Sequence, residues 1–187
     1  MSSKFTTRRL ATDAILVALY ALLAAFVSIK AGNLRITFAS LPIVVCALLY
    51  GPADACIVAA LGELMNQMLS YGFTLTTPLW LVPPVVRALI IGLGAAAFSA
   101  RGERLEKSLA KFYLICLAAA LATTLANTAV LWLDSVILGY YSYEYVFASF
   151  LVRIFTGVVT AVIVSTIAVP VAAALRKAGF GRLCAEG

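Results

Sequence analysis

Long apolar runs separated by short polar segments form the main pattern along this chain. A helix needs about 20 predominantly apolar residues to cross the hydrocarbon core of a bilayer, with a usual range of roughly 17 to 25. The pattern therefore predicts six membrane-spanning helices, of which the second is short. They cover residues 12–29, 38–50, 53–70, 79–100, 111–138 and 146–175.

The first apolar run, 12–29, follows Lys4, Arg8 and Arg9 and so resembles a signal peptide. It is long for the apolar part of a signal peptide, it contains Asp13, and further apolar runs follow it. We interpret it as a retained first helix. Cleavage is the minor alternative.

The dipeptide Gly51-Pro52 separates the second run from the third. Proline disfavours helical geometry in the residue before it and suits the first turn of a helix. The dipeptide therefore predicts a tight turn between two antiparallel helices. A single bent span is the alternative, and it would change the number of crossings.

Composition agrees with a membrane environment. Hydrophobic residues make up 64% of the 187 positions and charged residues only 12%, whereas a soluble domain is roughly half apolar and a quarter charged. A single hydrophobic core cannot bury this excess of apolar residues, so lipid has to surround much of the chain. The length suits a single transmembrane domain over residues 1–187.

The basic residues predict the orientation of the helices. With the N-terminus inside and six crossings, the inner segments carry ten Lys and Arg residues, and the outer loops carry only Lys30 and Arg35. Cytoplasmic loops are enriched in Lys and Arg. We expect a compact, all-α bundle of six transmembrane helices in the bacterial plasma membrane, with both termini cytoplasmic. The net charge of +6 then needs no nucleic-acid partner to explain it.

Several kinds of chemistry lack their usual residues. Histidine is absent, which removes histidine-ligated metals, histidine-ligated haem and Ser-His-Asp catalysis. The four cysteines form no Cys-x-x-Cys pair, and the eight acidic residues are spread singly. We therefore expect no metal, no cofactor, no catalytic residue and no enzyme. A membrane-embedded enzyme, such as a lipid-modifying transferase, is the rival from another class.

Polar side chains inside the predicted helices are candidates for function, because burying them in a membrane is costly. In the predicted orientation most of them lie in the outer half, and the inner half is nearly bare apart from Ser165 and Thr166. A pore would carry polar groups through its whole length, so the pattern indicates a cup open to the outside, covered by the uncharged loop 71–78. The candidate substrate-binding residues are Arg35, Glu63, Asn66, Gln67, Phe73, Thr74, Trp80, Arg87, Asn127, Asp134 and Arg153.

Each chemical type in this set suits a different part of a small ligand. The arginines suit carboxylates, the acidic side chains and Asn127 suit the hydrogen-bond donors of a heterocycle, and Trp80 or Phe73 suits stacking on a ring. Structural alternatives stay open. Structural ion pairs, Arg87 with Glu63 or Arg153 with Asp134, would neutralise the charges. An interfacial Asp134 would simply be solvated, and the tyrosines of 140–145 are typical of an interfacial aromatic belt.

Small residues form a stripe on the first helix, at Ala14, Ala18, Ala21 and Ala25. This spacing lets another helix approach closely. Packing inside the bundle and an interface with another protein are both open.

The motifs, taken in this order, resemble the S components of energy-coupling factor (ECF) vitamin transporters. The stretch LRITFASLPIVVCALLYGPADACIVAALGELMNQML over 34–69 is similar to the RI-[ST]-F-x-x-LP segment, GP turn and A-x-LG-[DE] helix of that family. Ala14-x-x-x-Ala18 in the first helix also looks like the family. YGFTLTT, LANTAVLWL and Arg153-Ile154 are most like its folate-type branch. The resemblance covers nearly the whole chain.

The resemblance implies a substrate-binding subunit that takes up a vitamin from outside with high affinity. It implies association with a transmembrane coupling protein and two cytosolic ATPases, since the chain has no Walker sequence of its own. The alanine stripe then becomes the docking surface for the coupling protein. Folate or a related pterin is the leading ligand. Riboflavin, thiamine, pantothenate or a queuosine precursor are alternatives within the class, and a small channel or a scaffold are alternatives outside it.

Overall fold

The computed structural model describes residues 7–31, 34–148 and 150–181. Within these ranges the chain forms eight helices, one two-stranded hairpin and a 3-10 turn at Leu105–Lys107. The strands are β1 (Ser28–Ala31) and β2 (Leu34–Thr37), which pair antiparallel. The helices are α1 (Thr7–Phe26), α2 (Ser40–Tyr50), α3 (Pro52–Ser70), α4 (Thr77–Trp80), α5 (Val82–Ser99), α6 (Leu109–Ile137), α7 (Tyr143–Phe147) and α8 (Phe150–Lys177).

The predicted six-helix bundle is confirmed, because each predicted span contains most or all of one main helix: α1, α2, α3, α5, α6 or α8. Among the described residues, four helical stretches are long and apolar enough to cross a membrane. The short α2 is buried along almost its whole length, as expected of a helix that is apolar all round. The four candidate spans are Thr7–Phe26, Thr77–Ser99, Leu109–Ile137 and Tyr143–Lys177.

The first predicted span was too long at its C-terminal end. Helix α1 ends at Phe26, and the chain then forms the β1–β2 hairpin, in which Ser28 pairs with Thr37. Strands favour β-branched residues such as Ile29 and Ile36, which pair with each other in this hairpin. The apolar run continues through the end of the helix, so hydropathy alone does not reveal the hairpin.

The turn at Gly51-Pro52 separates two helices, as predicted, and the single bent span is wrong. Gly51 has φ 95° and ψ −166°, a conformation almost restricted to glycine. Pro52 occupies the first turn of α3, where its missing N–H leaves no hydrogen bond unmade.

The fourth predicted span contains the end of one helix and the whole of a second. Helix α4 ends at Trp80 and α5 begins at Val82, with Pro83 and Pro84 in its first turn. A first turn tolerates proline because its N–H groups have no partner within the helix. Leu81 between the two helices keeps a right-handed helical conformation, with φ −75° and ψ −23°, so α4 and α5 still form one apolar stretch.

The prediction of a nearly bare inner half was wrong. Arg9 and Asp54 form a buried ion pair in which Nε and Nη2 each donate to a carboxylate oxygen at 2.5 Å. Asp13 is also buried. Helix α1 begins at Thr7 instead of residue 12, which places Arg9 inside the helix and beside the first turn of α3. A buried carboxylate needs such a partner, so this pair ties α1 to α3.

Two glycines bring neighbouring elements into close contact. A Cβ built on Gly62 of α3 would lie 2.6 Å from Cγ of Tyr20 on α1. A Cβ on Gly92 of α5 would collide with the Pro52 backbone at the start of α3. Helix α3 therefore contacts both neighbours through positions where only glycine fits without a shift.

We predict that Gly92→Ala lowers the thermal stability of the detergent-purified protein. The new methyl group meets backbone, which cannot rotate away, and overpacking of this kind costs about 1 to 3 kcal/mol. Gly94→Ala is the matched control on the same helix, because its methyl would meet the flexible Cδ1 of Ile115. Equal melting temperatures for the two variants would contradict the tight contact at Gly92.

Candidate functional site

The centre of the candidate site is the carboxylate of Glu63 on α3. Tyr20 Oη donates to its Oε2 at 2.7 Å, and Asn66 Nδ2 and Gln67 Nε2 donate to its Oε1 at 3.0 and 2.8 Å. All four side chains are buried. The spacing of three and four residues puts the α3 side chains on one helix face, as predicted. We call Tyr20, Glu63, Asn66 and Gln67 the Glu63 cluster.

Tyr20 is a member of this cluster that sequence reasoning missed. It reaches Glu63 because Gly62 leaves room for its ring against α3. A phenol inside an apolar span was the available signal, since a buried tyrosine hydroxyl usually finds a hydrogen-bond partner.

A second polar group forms around Asp134 of α6. Trp80 Nε1 donates to Asp134 Oδ1 at 3.3 Å, and the hydroxyl of Tyr140 donates to Oδ2. Asp134 is buried, so it is not the solvated interfacial residue of the alternative interpretation. Burial raises the pKa of the Tyr140 phenol, and its bond to Asp134 raises that pKa further. Tyr140 therefore stays protonated and remains a donor.

The arginines do not form the ion pairs considered from the sequence. Within the described residues, Arg87 is not paired with Glu63, and Arg153 is not paired with Asp134. Arg87 Nε instead donates to Thr123 Oγ1 of α6 at 3.4 Å. Arg153 Nη2 donates to the carbonyl of Val146 at 2.9 Å, which joins the start of α8 to α7.

The other predicted ligand-binding residues lie outside these buried groups. Phe73 is 74% exposed in the segment between α3 and α4. Thr74 is also exposed, and its backbone N–H donates to Thr77 Oγ1 at 2.9 Å. Asn127 lies on an exposed face of α6. Arg35 belongs to β2, and its side chain lies outside the described residues.

The alanine stripe of α1 divides between two environments. Ala14 and Ala18 are exposed, and Ala25 is partly buried. Ala21 is only 4% exposed and packs inside the bundle. The N-terminal half of the stripe is therefore open to a neighbour, and Ala21 serves packing within the chain.

Comparison with known proteins gives a family match over most of the chain. Residues 4–177 match the model of the family described as "ECF-type riboflavin transporter, S component". No protein of curated function matches this chain. The family match confirms the resemblance seen in the sequence, and it confirms a multi-pass membrane protein that is a transporter subunit and not an enzyme.

Two solved structures share the fold. One is a crystal structure of FolT bound with folic acid, with a TM-score of 0.65, 19% identity, and coverage of 91% of this chain and 97% of that chain. The other is described as the S component of a bacterial ECF transporter, with a TM-score of 0.62, 17% identity, and coverage of 91% and 96%. At these identities the similarity establishes the architecture alone.

We predict that Tyr20→Phe lowers the melting temperature of the ligand-free protein. It removes one donor to a buried carboxylate, which costs about 1 to 3 kcal/mol. Tyr113→Phe is the control, because the Tyr113 hydroxyl bonds Thr166 at an exposed position. A Tyr20→Phe variant that melts no lower than the control would show that the Glu63 cluster does not need this bond.

Proposed function

Because this chain belongs to the family of ECF-type riboflavin transporter S components, we propose that it binds folate or a related pterin at the outer face. S components bind a vitamin and associate with an energising module. In this proposal the bound vitamin is handed inward with a transmembrane coupling protein and two cytosolic ATPases. Both termini lie in the cytoplasm, as the distribution of basic residues predicts.

The observation that carries the proposal is the Glu63 cluster. It offers one carboxylate and two amides, all buried and all on one turn of α3. The pyrimidine edge of a pterin presents neighbouring N–H donors and a carbonyl acceptor. Buried groups of fixed geometry recognise such an edge well, because an unmatched ligand would leave them unpaired. The shared fold with FolT bound with folic acid agrees with this ligand class.

Arg87 is the proposed partner for a glutamate carboxylate of folate. Its helix, α5, packs against both α3 and α6, and its Nε bonds a neutral hydroxyl of Thr123. Since it is not ion-paired with a carboxylate among the described residues, its charge is available for a charge-assisted bond to the ligand. Trp80, whose indole N–H donates to Asp134, is the proposed stacking ring.

The remaining predicted residues belong to the proposal in weaker roles. Exposed Phe73 and Thr74 suit a loop that closes over the bound vitamin. Arg35, Asn127 and Arg153 complete the proposed set.

The exposed Ala14 and Ala18 suit a contact with the coupling protein, since small residues four apart let helices approach closely. Ala25 borders this surface, and buried Ala21 contributes only through packing inside the chain.

Riboflavin is the second candidate, because the matching family model carries its name. Riboflavin also has a heterocyclic edge that suits the Glu63 cluster, but it has no carboxylate for Arg87. The two candidates therefore differ in whether Arg87 contributes to affinity.

We predict that Arg87→Gln weakens folate binding about 10- to 100-fold, because a hydrogen bond to a charged group contributes roughly 1.5 to 3 kcal/mol. The same variant changes the affinity for a bare pterin less than about 3-fold, since the pterin has no glutamate tail. Isothermal titration calorimetry measures both. Arg101→Gln, which changes an exposed arginine outside the long helices, is the control. Equal losses of affinity for folate and for the bare pterin would show that Arg87 does not bind the glutamate carboxylate.

We also predict tight one-to-one binding of folate in a vitamin panel monitored by tryptophan fluorescence. Quenching persists in Trp132→Phe and is lost in Trp80→Phe, because Trp80 is the proposed stacking ring and Trp132 is 44% exposed on α6. Riboflavin binding without folate binding would keep the transporter class and discard folate. A folded protein that binds no vitamin in the panel would contradict the proposed function.

A further inference from the structure

Asp13 is a buried acidic side chain that the candidate site does not use. It lies on α1, one turn after Arg9, and only 3% of it is exposed. The one hydrogen bond that the described residues give its carboxylate comes from the Cys46 thiol of α2, whose Sγ lies 3.8 Å from Oδ1. A thiol is a weak donor, so this bond does little to stabilise a negative charge on Asp13.

The positive charge beside Asp13 belongs to Arg9 and is already paired. Arg9 Nε and Nη2 donate to the two carboxylate oxygens of Asp54 on α3, each at 2.5 Å. In the part of the chain that the structure describes, Arg9 forms no ion pair with Asp13. Asp54 is fully buried. Two buried carboxylates therefore lie beside one guanidinium, and the group would carry one net negative charge if both were ionised.

The remaining neighbours of Asp13 do not supply a second positive charge. The titratable and charged groups that face it are Arg9 on its own helix, Cys46 on α2 and Asp54 on α3. Tyr50 of α2 lies nearby, with its ring centre 5.9 Å from the Arg9 guanidinium, and the β1–β2 hairpin follows the opposite end of α1. The described residues also contain no cluster of three His, Cys, Asp or Glu side chains suited to a metal ion.

We propose that Asp13 is a proton-binding site of the folded protein. A buried carboxylate without a partner charge takes up a proton instead of staying ionised, and lipid offers it no water. The proton comes from water and forms an O–H bond at Oδ2, since Oδ1 accepts from the Cys46 thiol. The neutral acid then lies beside the Arg9–Asp54 ion pair. This site is separate from the proposed vitamin site and does not depend on which vitamin binds.

Infrared spectroscopy of the detergent-purified protein at neutral pH tests the proposal directly. The aspartates of the chain are Asp13, Asp54 and Asp134, and carbon-13 in their carboxyl groups separates the C=O stretch of a protonated aspartic acid from that of a glutamic acid. We expect one aspartic-acid band, lost in Asp13→Asn and kept in Glu144→Gln, which changes an exposed acid. A wild-type protein without this band, or a band that persists in Asp13→Asn, would overturn the proposal.

The melting temperature gives a second readout, with the sign fixed by proton binding. An aspartate in the unfolded chain has a pKa of about 3.9, so above that pH the folded protein holds one proton more than the unfolded chain. Each pH unit then lowers the ratio of folded to unfolded protein about 10-fold. We expect the wild-type protein to lose melting temperature relative to Asp13→Asn between about pH 4 and pH 7, because asparagine resembles the neutral acid and does not titrate.

A constant difference between the two proteins over this pH range would contradict the proposal. So would a melting temperature of the wild-type protein that depends on sodium concentration at fixed pH while that of Asp13→Asn does not, since a metal ion would then neutralise Asp13. The labelled wild-type spectrum needs no variant, so the proposal stays testable if Asp13→Asn does not fold. Neither readout involves a vitamin, so failure of the proposed function would leave both intact.

Discussion

The buried carboxylate of Glu63 is the constraint on which the arrangement of the candidate site depends. Lipid supplies no donors, so a carboxylate at this depth has to find them inside the protein. One of its donors is Tyr20 of α1, and that bond requires the close contact of α1 with α3 at Gly62. The hydrogen bonds of the site and the packing of its helices therefore depend on each other.

The two ends of the α1–α3 contact have different chemistry. Near the start of both helices, the charges of Arg9 and Asp54 neutralise each other in a buried ion pair. Toward the other end, the Glu63 cluster satisfies its carboxylate with neutral donors, and Arg87 bonds only a hydroxyl among the contacts that the described residues give it. An end at which the charges are compensated, and another at which a basic residue has no carboxylate partner among the described residues, agree with the proposed binding site.

Much of this architecture follows from the sequence, because apolar runs and the Gly51-Pro52 turn locate helices without any tertiary information. The polar face of α3 follows as well, since residues three and four apart share a side. Pairings between helices do not follow. Tyr20 meets Glu63, and Arg9 meets Asp54, because of helix rotations fixed by tight contacts such as the one at Gly62. The same rotations leave Asn127 exposed on α6.

A crystal or cryo-electron microscopy structure of the protein with folate tests the central claim most directly. The account predicts the pterin ring within hydrogen-bond distance of the Glu63 cluster and a glutamate carboxylate at Arg87. It also predicts the ring stacked on Trp80. Folate bound at the Arg9–Asp54 end would contradict it.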